Sequence, residues 1–575
     1  MAEVLQTEVL VVGAGAAGLR AAIELAGADV PHLVLGKRRH GDAHTRWAAG
    51  GINAVLGTRD PDDRWPVHAA DTLKEGHFVC RPDTVETLAR EAPDRLRELA
   101  GWGCDFQRAG DGGIEQRYFG AQTYRRTCFV GDRTGRAILE TLVGRAAEVG
   151  VPYREDVMVT ELLVEGGRVV GAFGVDLRTG ALLHIRCRAV LLAAGGCTAL
   201  YHRSSSRPDE NTGDGPALAY HAGATLRDME FVQFHPTGMV GPGEMAGMLV
   251  TEAVRGEGGR LFDREGERFM ERYSPEHMEL DARDVVARAI DREIRDGRGT
   301  EQGGVLLDIS HVDAERIRER LPAIVDRFHE LGVDVTREPM EVAPTAHYAM
   351  GGVRVDFDSG RTDVPGLFAA GEVTSGVHGA NRLGGNSLAE TVVFGRRAGI
   401  HLARTASRNR PPPEASGALA RAEERIQRLM EGGGDEEPAE VAADLRTLLS
   451  EHAGIVRSGE GVRAGLTALA ALRARCVRLR AVPDRADPHF ALAANLRHML
   501  PVAEAILRSA LEREESRGAH YREDRPEEDE RWRRNVLAQG GKGEMMITTE
   551  PVADPSDEVR AALEEAEGVD YHHLE

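Results

Sequence analysis

Residues 8–19 read Glu-Val-Leu-Val-Val-Gly-Ala-Gly-Ala-Ala-Gly-Leu. Glu8–Val12 is an apolar run short enough for a buried strand, and Leu19–Gly27 has the composition of a helix. Between them, Gly13-Ala14-Gly15-Ala16-Ala17-Gly18 forms a glycine turn. Strand, turn and helix in this order make the dinucleotide fingerprint. Gly13 allows the turn, Gly15 lets a pyrophosphate approach the backbone, and Gly18 lets the helix pack closely on the strand. A second strand, Pro31–Leu35, ends in Gly36-Lys37. Lys37 stands where an acidic ribose ligand is expected, which weighs against NAD.

A basic, glycine-rich loop follows from Lys37 to Gly57 and contains His44, Thr45, Gly50 and Gly51. A histidine in such a loop is ordinarily just solvated. Beside a flavin, it could act as a nucleophile toward the isoalloxazine methyl, and nearby cations would stabilise the reduced ring that such an attachment forms. Val157–Val175 and Leu182–Leu192 read as strands closing on Ala193-Ala194-Gly195-Gly196, a second strand-to-glycine turn. Asp214, in the glycine-rich Asn211–Gly215, is available to a ribose or ribityl hydroxyl.

From residue 224 to about 345 the nucleotide-fold rhythm stops. It resumes at Gly366–Gly371, with Glu372 at the strand tip, a glycine-rich loop, and a helix over Ser387–Ala398. Within that loop Arg382 is flanked by His378, Asn381 and Asn386. Helical periodicity marks 415–430, 439–454, 461–480 and 490–514. The expected architecture is α/β. A Rossmann-like cofactor domain (1–223 and 346–405) is interrupted by an α+β capping domain (224–345). A helical domain (415–530) and a tail (531–575) follow it. An insertion between two halves of a cofactor domain commonly forms a lid over the reacting face.

The net charge of −21 over 575 residues argues against nucleic acid as a partner. The six cysteines form no CxxC pair, so no iron–sulfur, zinc or haem site is visible. No apolar run reaches membrane-spanning length, so membrane contact is expected only through another subunit.

His235, His347, Thr251, Arg283 and Arg382 fall on glycine-flanked loops around the presumed cofactor. Arg382 can clamp one carboxylate of a small dicarboxylate while imidazoles and a hydroxyl hold the other. A charge-assisted hydrogen bond contributes about 1.5–3 kcal/mol, so several together can bind a dianion and twist one carboxylate out of plane. Arg283 opens a helix over Asp284–Asp296, where the macrodipole disfavours a cation. It can act with Glu252 and Arg255 on a proton, or simply pair with Asp281 or Asp284.

Nine stretches occur in order along nearly the whole chain: GAGAAG (13–18), AHTRWAAGGINA (43–54), QFHPTG (233–238), TEAVRGEGG (251–259), GERFMERYSP (266–275), ARDVV (282–286), PTAHYAMGG (344–352), HGANRLGGNSL (378–388) and ESRGAHYRED (515–524). Together they resemble the flavoprotein subunit of succinate dehydrogenase and fumarate reductase. The resemblance implies FAD held by Gly13, Ala14, Gly15, Ala16, Ala17, Gly18, Lys37, Thr45, Gly50, Gly51, Asp214, Glu372, Asn386, Ser387 and Leu388. It implies covalent attachment at His44, although Ala43 stands where the family usually has Ser. His235, Thr251, His347 and Arg382 would hold succinate or fumarate. Arg283 would shuttle the proton through Glu252 and Arg255, while hydride moves between the flavin and a methylene carbon.

It also implies a partner, an iron–sulfur subunit, and a cytoplasmic, peripheral place on the inner face of the membrane. The SRGAHYRED segment and the helical domain are the expected meeting surfaces. The related L-aspartate oxidase is the alternative. It usually has a Glu where this chain has Phe119, an apolar residue offering nothing to a substrate ammonium.

Overall fold

The computed structural model describes residues 2–241, 246–406, 414–540 and 544–566. Val9–Val12 is the middle strand of a five-stranded sheet ordered Leu367–Ala369, Ala189–Leu192, Val9–Val12, His32–Leu35, Tyr153–Arg154. Every pairing in it is parallel. Alternation divides the strand between two cores. Val9 and Val11 pack with Ala21, Leu25 and Ala398, while Leu10 and Val12 join the main core with Leu35 and Leu192. Both faces are covered, so the strand reads as continuous apolar sequence.

The helices Ala16–Gly27 and Asn386–Thr405 pack backbone to backbone. A Cβ on Gly395 would lie 2.6 Å from Ala17 O. The fingerprint turn and the helix after the Arg382 loop are thereby fixed to each other.

The insertion builds its own antiparallel sheet, ordered Val232–Met239, Met340–Ala349, Val305–Asp308, Arg260–Phe262. It also has its own core, which includes Phe269, Ile290, Leu307 and Met340. The four expected helices appear as Ser416–Glu431, Pro438–His452, Gly459–Cys476 and Pro488–Glu512. The last three are continuous with the main core, since Leu445, Val462, Leu496 and Leu507 share one cluster with Leu10 and Leu192, while Ala418, Ala422 and Ile426 of the first pack in a separate cluster with Leu163 and Phe173.

Two segments differ from expectation. The stretch after residue 530 is not a bare tail. Arg534–Gly540 and Met545–Pro551 form an antiparallel hairpin, and Asp557–Ala566 packs Val559 and Ala562 against Val67 and Leu73. The hairpin's first strand buries a short continuous run, Asn535 to Ala538. Residues 567–575 lie outside the described residues.

The SRGAHYRED segment is largely interior: Arg517 is 2% exposed and His520 is fully buried, and it reaches the surface fully only at Glu523 and Asp524. The buried charges in and around it are paired within the chain. Arg513 pairs with Glu230 (2.7 Å) and Glu515 (3.0 Å), Arg517 pairs with Glu515 (2.7 Å), and Arg457 Nη1 lies 2.9 Å from His520 Nδ1. Among the described residues, no helix is long and apolar enough to cross a membrane.

Candidate functional site

A cavity of about 1940 Å³ opens at the carboxyl edge of the parallel sheet, where Val12, Leu35, Ala193 and Ala370 line it. Pockets for a single drug-sized ligand run about 300–1,000 Å³, so there is room for a large cofactor and a small substrate together.

Gly13 through Ala17 line this space. Gly13 has φ +111°, and a Cβ there would lie 2.1 Å from Ala193 O. Gly18 is not among the described lining residues; a Cβ on it would lie 2.0 Å from Gly13 O, so it serves packing. The helix Ala16–Gly27 has no acidic residue in its first turn, which leaves its positive end to an anion. Ala16 N–H donates to Thr45 Oγ1 (3.2 Å), tying the His44 loop to the fingerprint turn.

Lys37 Nζ lies 3.0 Å from Asp214 Oδ2. Burial alone would raise the Asp214 carboxyl, but Lys37 and His498 outweigh it and hold it well below the usual range. His44 sits in the short turn His44–Trp47, with Nδ1 3.8 Å from Glu210 Oε2. Burial pulls its imidazole down, and Glu210 more than offsets this, leaving it above the ordinary value. Glu372 accepts from Ala349 N–H (3.2 Å), and burial pushes its carboxyl up to about 7.

Gly50, Gly51, Ser387 and Leu388 also line the cavity. Asn386 does not, among the described residues. Its Oδ1 accepts from Asn53 Nδ2 (2.8 Å) and lies 2.8 Å from His68 Nε2, and its Nδ2 donates to Thr72 Oγ1 (2.9 Å). Its amide is committed to a buried network beneath the loop, which runs against its expected place on the cofactor.

The other end of the cavity gathers His235, Thr251, Glu252, Arg283, His347 and Arg382 from the cap, the strand leaving it, and the glycine loop. The His235 and His347 rings meet edge to face at 5.8 Å. Burial and the nearby arginines hold both imidazoles well below their ordinary value, so they are neutral. His347 Nδ1 lies 3.0 Å from Ser205 Oγ, and His235 Nδ1 accepts from Thr237 N–H (3.3 Å).

Arg382 is 4% exposed, has no carboxylate partner among the described residues, and keeps a buried Nε without a hydrogen bond. Burial, reinforced by Arg283, pushes it down to about 10. Arg283 does not pair with Asp281 or Asp284. Both its Nε (3.1 Å) and Nη2 (2.9 Å) donate to Glu252 Oε2, and its guanidinium stands 5.4 Å over the Phe119 ring. Behind Glu252 lies the buried Arg255, its Nη2 3.9 Å from the same carboxylate oxygen; it is not among the described lining residues, and its Nε and Nη2 make no hydrogen bond. Arg283, Glu252 and Arg255 are thus contiguous.

Sequence reading gives no part to Glu210, Ser205 or Tyr348. Tyr348 at least adjoins His347 in a quoted motif; the other two act on histidines remote in sequence and leave no local pattern.

The glycine cradle, the open helix end, the Lys37–Asp214 pair and the buried Glu372 together suit the phosphates, ribose and polar ring edge of FAD. A model described as an FAD binding domain matches residues 8–388, and one described as fumarate reductase flavoprotein C-term matches 442–561. One of the subunits of the fumarate reductase (CoM/CoB) of Methanothermobacter marburgensis is 46% identical over 93% of this chain and 97% of its own. The succinate dehydrogenase flavoprotein subunit of Coxiella burnetii is 38% identical over 92% and 93%.

The chain belongs to the succinate dehydrogenase and fumarate reductase flavoprotein family. It is an FAD-dependent oxidoreductase. The solved apo Sdh1 complex of Mycobacterium smegmatis contains a chain of the same family fold, with a TM-score of 0.89, 40% identity, and 98% of each chain covered. These relatives and the apolar Phe119 run against the L-aspartate oxidase alternative.

Proposed function

We propose that this chain interconverts succinate and fumarate as the catalytic subunit of a larger complex. The observation that carries this reading is Arg382: a buried guanidinium without a carboxylate partner, facing a cavity that also holds Arg283 and two neutral imidazoles. A buried cation without a counter-ion is costly, and a substrate carboxylate supplies one. His235, His347 and Thr251 offer neutral donors to the second carboxylate. Arg283, fixed by Glu252, gives or takes the proton at the carbon next to the one exchanging hydride, and Arg255 relays behind it. FAD, held by the fingerprint turn, Lys37, Asp214, Glu372, Ser387 and Leu388, supplies the hydride acceptor and donor.

A covalent link through His44 belongs to the same reading. The turn His44–Trp47 is tied through Thr45 to the fingerprint helix, and Glu210 faces Nδ1, leaving Nε2 as the free nucleophile. The electron partner is an iron–sulfur subunit. Cluster ligation needs several thiolates together, whereas five of this chain's six cysteines are singly buried and all are free. The complex then places the chain peripherally on the inner face of the membrane.

The test is flavin reduction by a substrate panel in the purified holoenzyme. Succinate should bleach the flavin, fumarate should reoxidise it, and L-aspartate should do little. Comparable bleaching by aspartate would overturn the assignment. Acid precipitation of the same sample reads the linkage, with yellow colour expected in the pellet.

A further inference from the structure

Arg382 presents a problem that its direct contacts do not solve. Its nearest polar contact is a long one, Nη1 to Leu383 O at 3.4 Å. Glu372 and Glu75 act on it through space without a hydrogen bond, and an aromatic face lies against it, the Tyr348 ring 4.9 Å from its guanidinium carbon. A ring face attracts a cation, and more strongly where water is excluded. Tyr348 is 7% exposed.

Behind the ring stands an anion. Tyr348 OH donates to Glu390 Oε2 at 2.6 Å. His378 Nε2 lies 3.0 Å from the same oxygen; Thr374 Oγ1, which donates to Gly371 O at 2.8 Å, lies 3.4 Å from the other. Glu390 is 1% exposed and His378 and Thr374 3% each, so nothing here is screened by solvent. Tyr348 OH and His378 Nε2 thus converge on one oxygen of Glu390. Burial and Glu390 together push the phenol well above its ordinary value, so the proton stays on Tyr348 and the bond keeps its direction.

We propose that Tyr348 and Glu390 are positioning residues for dicarboxylate binding: Glu390 acts as a relayed counter-charge to Arg382, through the phenol and the ring face, while leaving the guanidinium fork free. A carboxylate set directly on Arg382 would neutralise it equally well but would occupy the fork that the substrate needs. Moving the anion one side chain back compensates part of the burial cost without competing for the donors. The Tyr348–Glu390 bond also polarises the phenol, and a more electron-rich ring holds the cation better. His378 keeps Glu390 from turning toward Arg382 itself.

This inference rests on Arg382 being the dicarboxylate clamp, and the experiment separates the two claims. Malonate, an inert dianion, is titrated into the FAD-loaded enzyme while the flavin absorbance is followed. Four proteins are compared: wild type, Arg382→Ala, Tyr348→Phe and Glu390→Gln. The phenylalanine keeps the ring and loses the bond; the glutamine keeps an acceptor and loses the charge. Both should tighten malonate about 3- to 30-fold, because removing the compensating anion leaves the buried guanidinium with more to gain from a dianion. Weaker binding in both would overturn the relay. Flavin content and the flavin spectrum without ligand should match wild type. Arg382→Ala should abolish saturable binding.

If Arg382→Ala binds malonate as wild type does, the clamp reading itself fails. If it loses binding while Tyr348→Phe and Glu390→Gln both bind with wild-type affinity, the relay is overturned. Should Glu390→Gln fold poorly, Tyr348→Phe carries the test alone, because it removes a single hydroxyl. A fall in turnover with unchanged malonate affinity and KM in Tyr348→Phe would also sink the proposal, since a counter-charge acts on bound ligand.

Discussion

Arg283 has two nitrogens on one oxygen of Glu252 and its flat face over Phe119. That geometry fixes the group in the cavity without filling the space beneath it. Arg283→Ala should therefore lower kcat for succinate oxidation by about 10²–10⁴-fold, the range of a lost general acid–base group. Malonate affinity should change little, because Arg382 and the imidazoles remain. Steady-state rates together with a malonate titration check this. Near-normal turnover would return Arg283 to a structural role. Single residues are legible where they recur in ordered motifs: Arg283, Glu252 and Arg255 are picked out by theirs, and so are the two histidines, and the fold brings all five to one end of the molecule's cavity or directly behind it. Glu390 is not, since it touches neither cavity nor surface and acts from behind an aromatic ring. Asn386 errs in the other direction. It lies beside Ser387 in a cofactor-type loop, yet the left-handed turn at Gly385 (φ +84°) precedes a helix start that directs its amide into the protein.

At the scale of elements, the loop carrying Arg382 is held on two sides by main chain. Ala380 N–H donates to Gly76 O (3.0 Å), and Ala519 N–H donates to Ala380 O (2.9 Å). Gly518 has φ +52°, and a Cβ there would lie 2.7 Å from that same carbonyl. A methyl cannot be accommodated without moving one strand of this sandwich. Gly518→Ala should raise KM for succinate about tenfold or more by displacing Arg382. Flavin content should hold, since the fingerprint turn lies elsewhere. Steady-state kinetics against bound-flavin absorbance read the split, and an unchanged KM would show that the loop does not lean on this segment. The SRGAHYRED segment reads as a surface because it is polar and charged. Burial of charge follows from pairing, and the partners of Arg513 and Arg457 include Glu230 and its main-chain carbonyl, far away in sequence. The strands, fingerprint turn and long helices are readable because period and composition are local. The hairpin of Arg534–Gly540 and Met545–Pro551 escapes such reading because its buried run is only four residues long and opens on the polar Asn535.

Over the whole molecule, buried titratable groups shape the response to acid in both directions. Burial, with help from Arg126, pushes His68 down to about 3, and His235, His347 and His520 are held well below their ordinary value. Below the ordinary imidazole value of about 6.5 the unfolded chain takes up protons that these refuse, so their contribution to stability falls as pH falls. Glu75, Asp228 and Glu372, pushed up to about 7 by burial, work in the opposite sense, losing stability as pH rises from about 4 toward 7. His44 and His77, which burial pulls down but Glu210 and Glu528 raise further, act with them. His68 isolates one side of this balance: relative to wild type, His68→Gln should lose less of its thermal midpoint between pH 7 and pH 5. Parallel midpoint profiles for the two proteins would contradict this.

The sheet ordered Gly352–Val353, Leu226–Arg227, Arg534–Gly540, Met545–Pro551 pairs the two chain crossings of the cap with each other and backs the first of them with the hairpin. On a ribosome, the two crossings emerge long before the strand that completes them. A two-stranded ribbon is marginal in water, and its open edge is a template for mispairing. The cap's attachment is finished only once Arg534–Gly540 has been made. A message ending before Arg534 should thus yield a product nicked by trypsin near both crossings, while the full-length protein resists. Quality control of this polypeptide is written into its topology: a chain that stops early is marked for degradation at the joint it failed to close.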